Sequence, residues 1–266
     1  MAELAGKNTV IKISGTSTAM VGEATTEDVT TKIYQITAAT KRVLDRTAVI
    51  RVHLQGADGT AEDGTTTTNI EITGHGLVAG DLIINETHAG VRLVTVKVND
   101  NNVTVGAITG QTVGDTIAIY KTEPAANYTL NRLSGTVTYT TATTRVIMVS
   151  GDYLPMTTAA YAHNASTSRK ADVADVTAFG ATHYKRTATL LSASGSLSQF
   201  DVTDTTYVDA LKAGVPIVIE IDESSGVEPT RYWALLESQE VAAAIAGVQD
   251  ETVSWVSYDT WLRLGA

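Results

Sequence analysis

Cysteine is absent from the 266-residue chain, so disulfides and thiolate chemistry are excluded and the fold must rest on packing and hydrogen bonds. Aromatic residues are scarce, with two Phe, three Trp and ten Tyr. Positive charge is in the minority: 19 Lys and Arg stand against 29 Asp and Glu, for a formal net charge of −10. A surface of that sign argues against a protein that grips nucleic acid by neutralising phosphates. No run of about 18 apolar residues occurs, and the opening stretch "MAELAGKNTVIKISG" has no apolar export core. Together these predict a soluble chain with no membrane partner and no cleaved signal. Sequons at Asn85, Asn102, Asn127 and Asn164 need no explanation in a chain so rich in Thr.

What is abundant is Thr, Ala, Val and Gly, and small β-branched residues suit pleated, half-buried surfaces. The length allows one large all-β domain or two smaller ones. Apolar and polar residues alternate from end to end. In "AVIRVHLQG" (48–56), Ile50, Val52 and Leu54 share one face, while Arg51, His53 and Gln55 share a face expected to be wet. "GTVTYTTA", "RVIMVSGDY", "PIVIEID", "RYWALLES" and "ETVSWVSY" repeat the pattern, most of them bounded by turn residues. Helix is expected in one place above all, 204–216, where Thr or Asp caps the start, Tyr207 and Leu211 share a face, and Gly214 and Pro216 end it. A second short helix or a loop is expected at 37–45, and a single turn at 171–179. The stretch "GADGTAEDGTTTTN" (56–69) resembles a linker and precedes a self-contained set of short strands. This predicts a small inserted β module at 57–122 within a discontinuous core of 1–56 and 123–266, since exposed loops tolerate insertions.

Chemistry is hard to find. "GHGLVAGD" (74–81) lacks the spacing and the following helix of a dinucleotide fingerprint, and reads as a tight turn with Leu77 pointing inward. His75 and His88 flank Asp81 and Glu86, the one grouping with any likeness to metal ligands, but no zinc spacing supports them. Asp58, Glu62 and Asp63 lack the order of a calcium loop. Ser194 and Ser196 in "SASGSLS" carry no nucleophile signature. The pairs Lys41-Arg42, Arg169-Lys170 and Lys185-Arg186 are too short for a nucleic-acid groove, and the acidic run 220–228 reads as a solvated hairpin tip. Asp172 and Asp175, one helical turn apart if 171–179 is helical, read as local caps or a subunit contact. No catalytic, cofactor-binding or metal-ligating residue is assigned, and no enzyme is expected.

At "ADVADVTAFG" (171–180) the chain resembles the tail tube proteins (major tail proteins) of long-tailed bacteriophages. The resemblance continues through "THYKRTATLLSASGSLSQFD" (182–201), "YVDALKAGVPIVIEI" (207–221) and "YWALLESQEVAAAIAGVQDETVSWVSY" (232–258). Upstream it includes "NTVIKISG" (8–15), "YQITAATKRVLDRTAVIRV" (34–52) and 131–155. The order of these pieces carries it. The resemblance implies an all-β fold, a tail-tube-type β-sandwich or half-barrel with a flanking short helix. It implies a virion protein, made in the host cytoplasm, whose copies form stacked, usually hexameric rings. Such a tube would surround a tape measure protein, meet tail tip and tail terminator proteins, and conduct DNA without binding it specifically. No cofactor is implied. The alternative is a phage decoration or receptor-binding β-sandwich that recognises a glycan.

Overall fold

The computed structural model describes residues 10–27, 32–159, 162–176, 183, 186–200, 206–222, 229–242 and 249–264. The chain forms two compact units, one from residues 1–15 and 156–266, the other from residues 16–155. Strand β1 (Val10–Ser14) belongs to the first. The second unit begins with β2 (Thr18–Glu27), β3 (Ile33–Ile36), β4 (Arg51–Gln55), β5 (Gly59–Thr60), β6 (Asn69–Glu71) and β7 (Leu82–Asn85). It continues through β8 (Gly90–Lys97), β9 (Asn102–Val105), β10 (Thr116–Thr122), β11 (Tyr128–Asn131), β12 (Thr136–Tyr139) and β13 (Ile147–Tyr153). The chain then returns to the first unit as β14 (Met156–Thr158), β15 (Ala162–Asp175), β16 (Arg186–Phe200), α1 (Thr206–Ala213), β17 (Ile217–Asp222), β18 (Thr230–Ala242) and β19 (Asp250–Arg263). The fold is all-β, built of antiparallel sheets that stay open, with one α-helix among the described residues.

In the first unit the strand order is β14-β1-β17-β18-β19-β16-β15. Alternation builds its core: Ile11 and Ile13 of β1, Ile217, Ile219 and Ile221 of β17, Tyr232, Ala234 and Leu236 of β18, and Val253 and Trp255 of β19 form one buried cluster. Helix α1 adds Tyr207, fully buried, and rests Leu211 against the same cluster. The helix expected at 204–216 is therefore present, as Thr206–Ala213.

The second unit holds a twelve-stranded sheet in the order β11-β12-β3-β2-β13-β4-β10-β7-β8-β9-β6, with β5 beside β10. Residues between 57 and 122 have a core of their own, with Ile70, Leu77, Ile83, Val103, Ile108 and Ile117 buried together. A separate cluster joins Met20, Tyr34, Ile36, Leu44, Val52, Val137 and Val149. The two regions share one sheet, because β10 pairs with β4 on one side and β7 on the other. The compact unit thus begins and ends at residues 16 and 155, outside the 57–122 span.

Of the two readings of 37–45 the loop holds: it contains only a 3₁₀ turn, Ala39–Lys41, without a side-chain cap. Val43 and Leu44 are drawn into the interior, and Leu44 bridges Tyr153, which ends the helical path. Residues 171–175 form the end of β15 rather than a helical turn, with Val173, Ala174 and Asp175 opposite Ala188, Thr187 and Arg186. Asp172 pairs with exposed Lys170 at 3.2 Å, so neither aspartate caps a helix. Residues 177–180 of that stretch lie outside the described residues.

Candidate functional site

Four long strands, β15, β16, β19 and β18, lie side by side in that order. Strand alternation gives their ladder two unlike faces. On one face Asn164, Ser198, Thr252 and Glu240 stand in one cross-strand row, and Ser166, Ser196, Ser254 and Ser238 in the next. Hydroxyls bond along the rows: Ser166 Oγ to Ser196 Oγ at 2.9 Å, and Ser198 Oγ to Thr252 Oγ1 at 3.0 Å. Short hydroxyl and amide side chains fill these two rows, with Glu240 the one charged group among the eight. "SASGSLS" is the β16 share of it, and Ser194 and Ser196 are ladder residues.

The opposite face enters the core. Leu197, Val253, Trp255 and Leu236 are buried there. Glu251 is fully buried and its carboxylate is held by two amides, Gln199 Nε2 donating at 2.7 Å and Gln239 Nε2 donating from the other side. Gly195 makes room for Trp255 on this face, since a β-carbon there would stand 2.7 Å from the indole.

The ladder ends in an open edge on each side. Strand β15 is the last strand of its sheet. On the far side β17 pairs only with Thr230–Ala234, so no described strand covers β18 beyond that point, through Ala242. Edges of this length offer rows of backbone donors and acceptors to another chain.

Beyond Ser194 opposite Val256, β16 parts from β19. Ala193 finds no backbone partner on β19 and donates its N–H to Ser257 Oγ at 2.9 Å. Strands β15 and β16 continue as a two-stranded arm carrying exposed Val173, Leu190 and Leu191. Arg169 on this arm reaches back to Tyr232, donating from Nε to the phenol oxygen at 3.0 Å.

The titratable groups named from the sequence are dispersed. His75 is buried and its Nδ1 accepts the Leu77 N–H at 2.7 Å, which fixes the turn and sends Leu77 into the core. Asp81 closes the same turn by accepting N–H bonds from Val78 at 2.9 Å and Thr122 at 2.8 Å. His88 faces Asp115 at 3.5 Å, not Asp81 or Glu86. Glu62 accepts the Thr73 N–H at 3.0 Å and the Thr73 hydroxyl at 2.8 Å, which separates it from any calcium-like arrangement with Asp58 and Asp63. Among the described residues no three His, Asp or Glu side chains gather to hold a metal.

His53 corrects the alternation reading. It is fully buried, and the side of the sheet expected to be wet carries an apolar cluster instead: Leu82, Ala118 and Tyr120 are buried together there, with Met148 and Val91 packed against them. Its Nε2 lies 3.0 Å from Ser150 Oγ and its Nδ1 3.3 Å from Thr122 Oγ1. Thr122 gives its own proton to Gly80 O, so it accepts from Nδ1–H, and Nε2 accepts the Ser150 proton. The pair has the geometry of a nucleophile and base, yet both residues are fully buried and no substrate reaches the hydroxyl. Burial, with Arg51 nearby and opposed by Asp81, pushes the imidazole down to about 4.

No protein-family model matches the chain, and no curated protein matches it. Among solved structures it is similar to a chain in the tail of an empty gene transfer agent (GTA) particle determined by helical refinement with C6 symmetry. Identity is 15%, the match covers 42% of this chain and 87% of that one, and the TM-score is 0.37. It is also similar to a chain of the virion of a native gene transfer agent particle, with 17% identity, 40% and 86% coverage, and a TM-score of 0.35.

Proposed function

We propose that this chain is a structural subunit of a phage-type virion tail and that its work is assembly without turnover. The observation that carries the reading is the pair of open edges on the four-strand ladder, on β15 and on β18. Two different edges of one sheet make a head-to-tail contact, and such contacts close into rings when the rotation permits. Joining β15 of one copy to β18 of the next satisfies both edges and extends the hydroxyl rows around a cylinder. The sequence resemblance to tail tube proteins supports this arrangement, with hexameric rings as the expected closure.

The exposed apolar arm of β15 and β16 then bridges successive rings, since a two-stranded ribbon is marginal without a surface to rest on. A hydroxyl-lined bore and a net charge of −10 suit the passage of DNA, because like charge suppresses adhesion to phosphates. The tape measure protein would fill the bore before ejection, with tail tip and terminator proteins at the ends. Residues 57–122 form an accessory module with their own core.

Purified protein at high concentration is expected to form rings or tubes in negative-stain micrographs. A strictly monomeric protein, even with tail tip and tape measure protein supplied, would contradict the reading.

A further inference from the structure

Among the described strands, the 57–122 insert joins the rest of its unit by a single ladder, β10 on β4, whose register runs from Tyr120 opposite Gln55 to Thr122 opposite His53. The chain enters the insert from the end of β4 and leaves it along β10. Backbone bonds close the two ends of this seam, Gly56 N–H to Ile119 O at 2.7 Å and Glu123 N–H to Val52 O at 2.8 Å. His53 stands on the seam, bonded to Thr122 of β10 on one side and to Ser150 of β13 on the other. Ser150 Oγ also accepts the Gly22 N–H of β2 at 2.9 Å, and the Thr122 N–H donates to Asp81 at 2.8 Å. One buried relay thus runs from β2, across the seam, to the turn at 78–81 of the insert.

Two features make the seam a joint. The insert keeps its own core around Ile70, Leu77, Ile83 and Val103, so parting β10 from β4 does not dismantle it. The closed seam also keeps the imidazole dry, beside the buried cluster of Leu82, Ala118 and Tyr120 with Met148 packed against it. A charged ring there would lose its water, and its Nε2–H would displace the proton that Ser150 now donates. Burial therefore holds the ring at about 4, whereas opening returns it to water and to its ordinary 6.5. The charged groups acting on it are Asp81, from the insert, and Arg51, from β4, and they oppose each other. Tyr120 of β10 shares the face, but burial raises its phenol, so it stays neutral in acid. Thr122, Ser150 and Gly22 do not titrate in that range. An open state that binds a proton more tightly than the closed one is favoured by acid.

We propose that the β4–β10 seam is an acid-operated hinge: the insert parts from β4 as a folded module, and His53, exposed in the opened seam, takes up a proton that keeps it from closing. The hinge lies within one chain and does not rest on the tail reading.

Hydrogen exchange on the full-length protein, followed from pH 6.5 down to 4 and corrected for the intrinsic rate, tests it. The Gly56 and Glu123 amides report the seam. The Val105 and Ile108 amides, bonded inside the insert to Thr68 O and Thr67 O at 2.9 Å, report its own core. With the ring at 6.5 when open and about 4 when closed, seam protection should fall on the order of a hundredfold across that range. Protection at Val105 and Ile108 should stay nearly constant, and His53→Gln should abolish the fall at the seam. If His53→Gln fails to fold, the contrast between the two pairs of amides in the parent decides alone. An equal loss at all four amides would show that only global unfolding exposes the ring. That result, constant protection at the seam, or an undiminished fall in His53→Gln would each overturn the proposal.

Discussion

Trp255 and Gly195 face each other across β19 and β16, and the indole fills the space a β-carbon on Gly195 would need. The Ser166 carbonyl crowds the same point from β15. The backbone of the ladder is thus fitted to one large ring in a chain that has only three tryptophans.

Gly195→Ala should therefore destabilise the first unit by about 2–3 kcal/mol, because neither the backbone oxygen nor the buried ring can retreat cheaply. Urea unfolding followed by tryptophan fluorescence reads this as a lower midpoint with an unchanged slope. A midpoint within error of the parent would show that the ladder is looser than its contacts indicate.

Acid should weaken the second unit through His53. The folded imidazole sits at about 4, below its ordinary value of 6.5. Its contribution is complete above 6.5, is lost progressively as pH falls, and is gone at about 4. That loss amounts to about 3 kcal/mol. Burial lowers His75 as well, with Lys97 and Lys121 adding to the effect, so it acts in the same direction. His53→Gln should flatten the pH dependence of stability between 6.5 and 4, measured by thermal unfolding across that range. An equal slope in the variant would contradict the assignment.

Glu220 tests the buried charge of the first unit. Its carboxylate accepts from Lys12 Nζ at 2.6 Å and from Arg231 Nε at 2.6 Å, with only 3% of the glutamate exposed. Burial alone would raise this carboxyl, but hydrogen bonds and charge from Lys12 and Arg231 outweigh it and hold it below the usual carboxylate range. Removing the charge in Glu220→Gln takes away a carboxylate to which both Lys12 and the nearly buried Arg231 guanidinium donate, and a cost of about 3 kcal/mol follows. Chemical denaturation at neutral pH measures it; a loss under about 1 kcal/mol would mean that water or a rearranged neighbour replaces the carboxylate.

Much of this was legible in the sequence. Alternation located the core of β17, β18 and β19, and the Tyr207–Leu211 spacing located α1, because both elements bury one face and expose the other. The small residues of "SASGSLS" marked a strand, but their partners in Asn164, Ser254 and Ser238 are set by pairing between distant segments, which no local pattern encodes. Asp172 and Asp175 misled for a related reason: a spacing of three suggests a shared helical face, whereas β16 captures 171–175 as a strand. His53 misled because alternation tells which residues share a face and not whether that face is buried. The open edges were beyond any local signal, since an edge is defined by the absence of a neighbour.

The chain has no cysteine of its own, so engineered pairs can report the edge contact cleanly. Ser166→Cys on β15, combined in turn with a cysteine at each position from 236 to 242 on β18, should yield on oxidation a ladder of covalent oligomers. At the matching register that ladder should end in a closed hexamer, while each single-cysteine control stops at the dimer. Oxidised protein that remains monomeric at every register, under conditions where the parent forms particles, would contradict edge-to-edge closure.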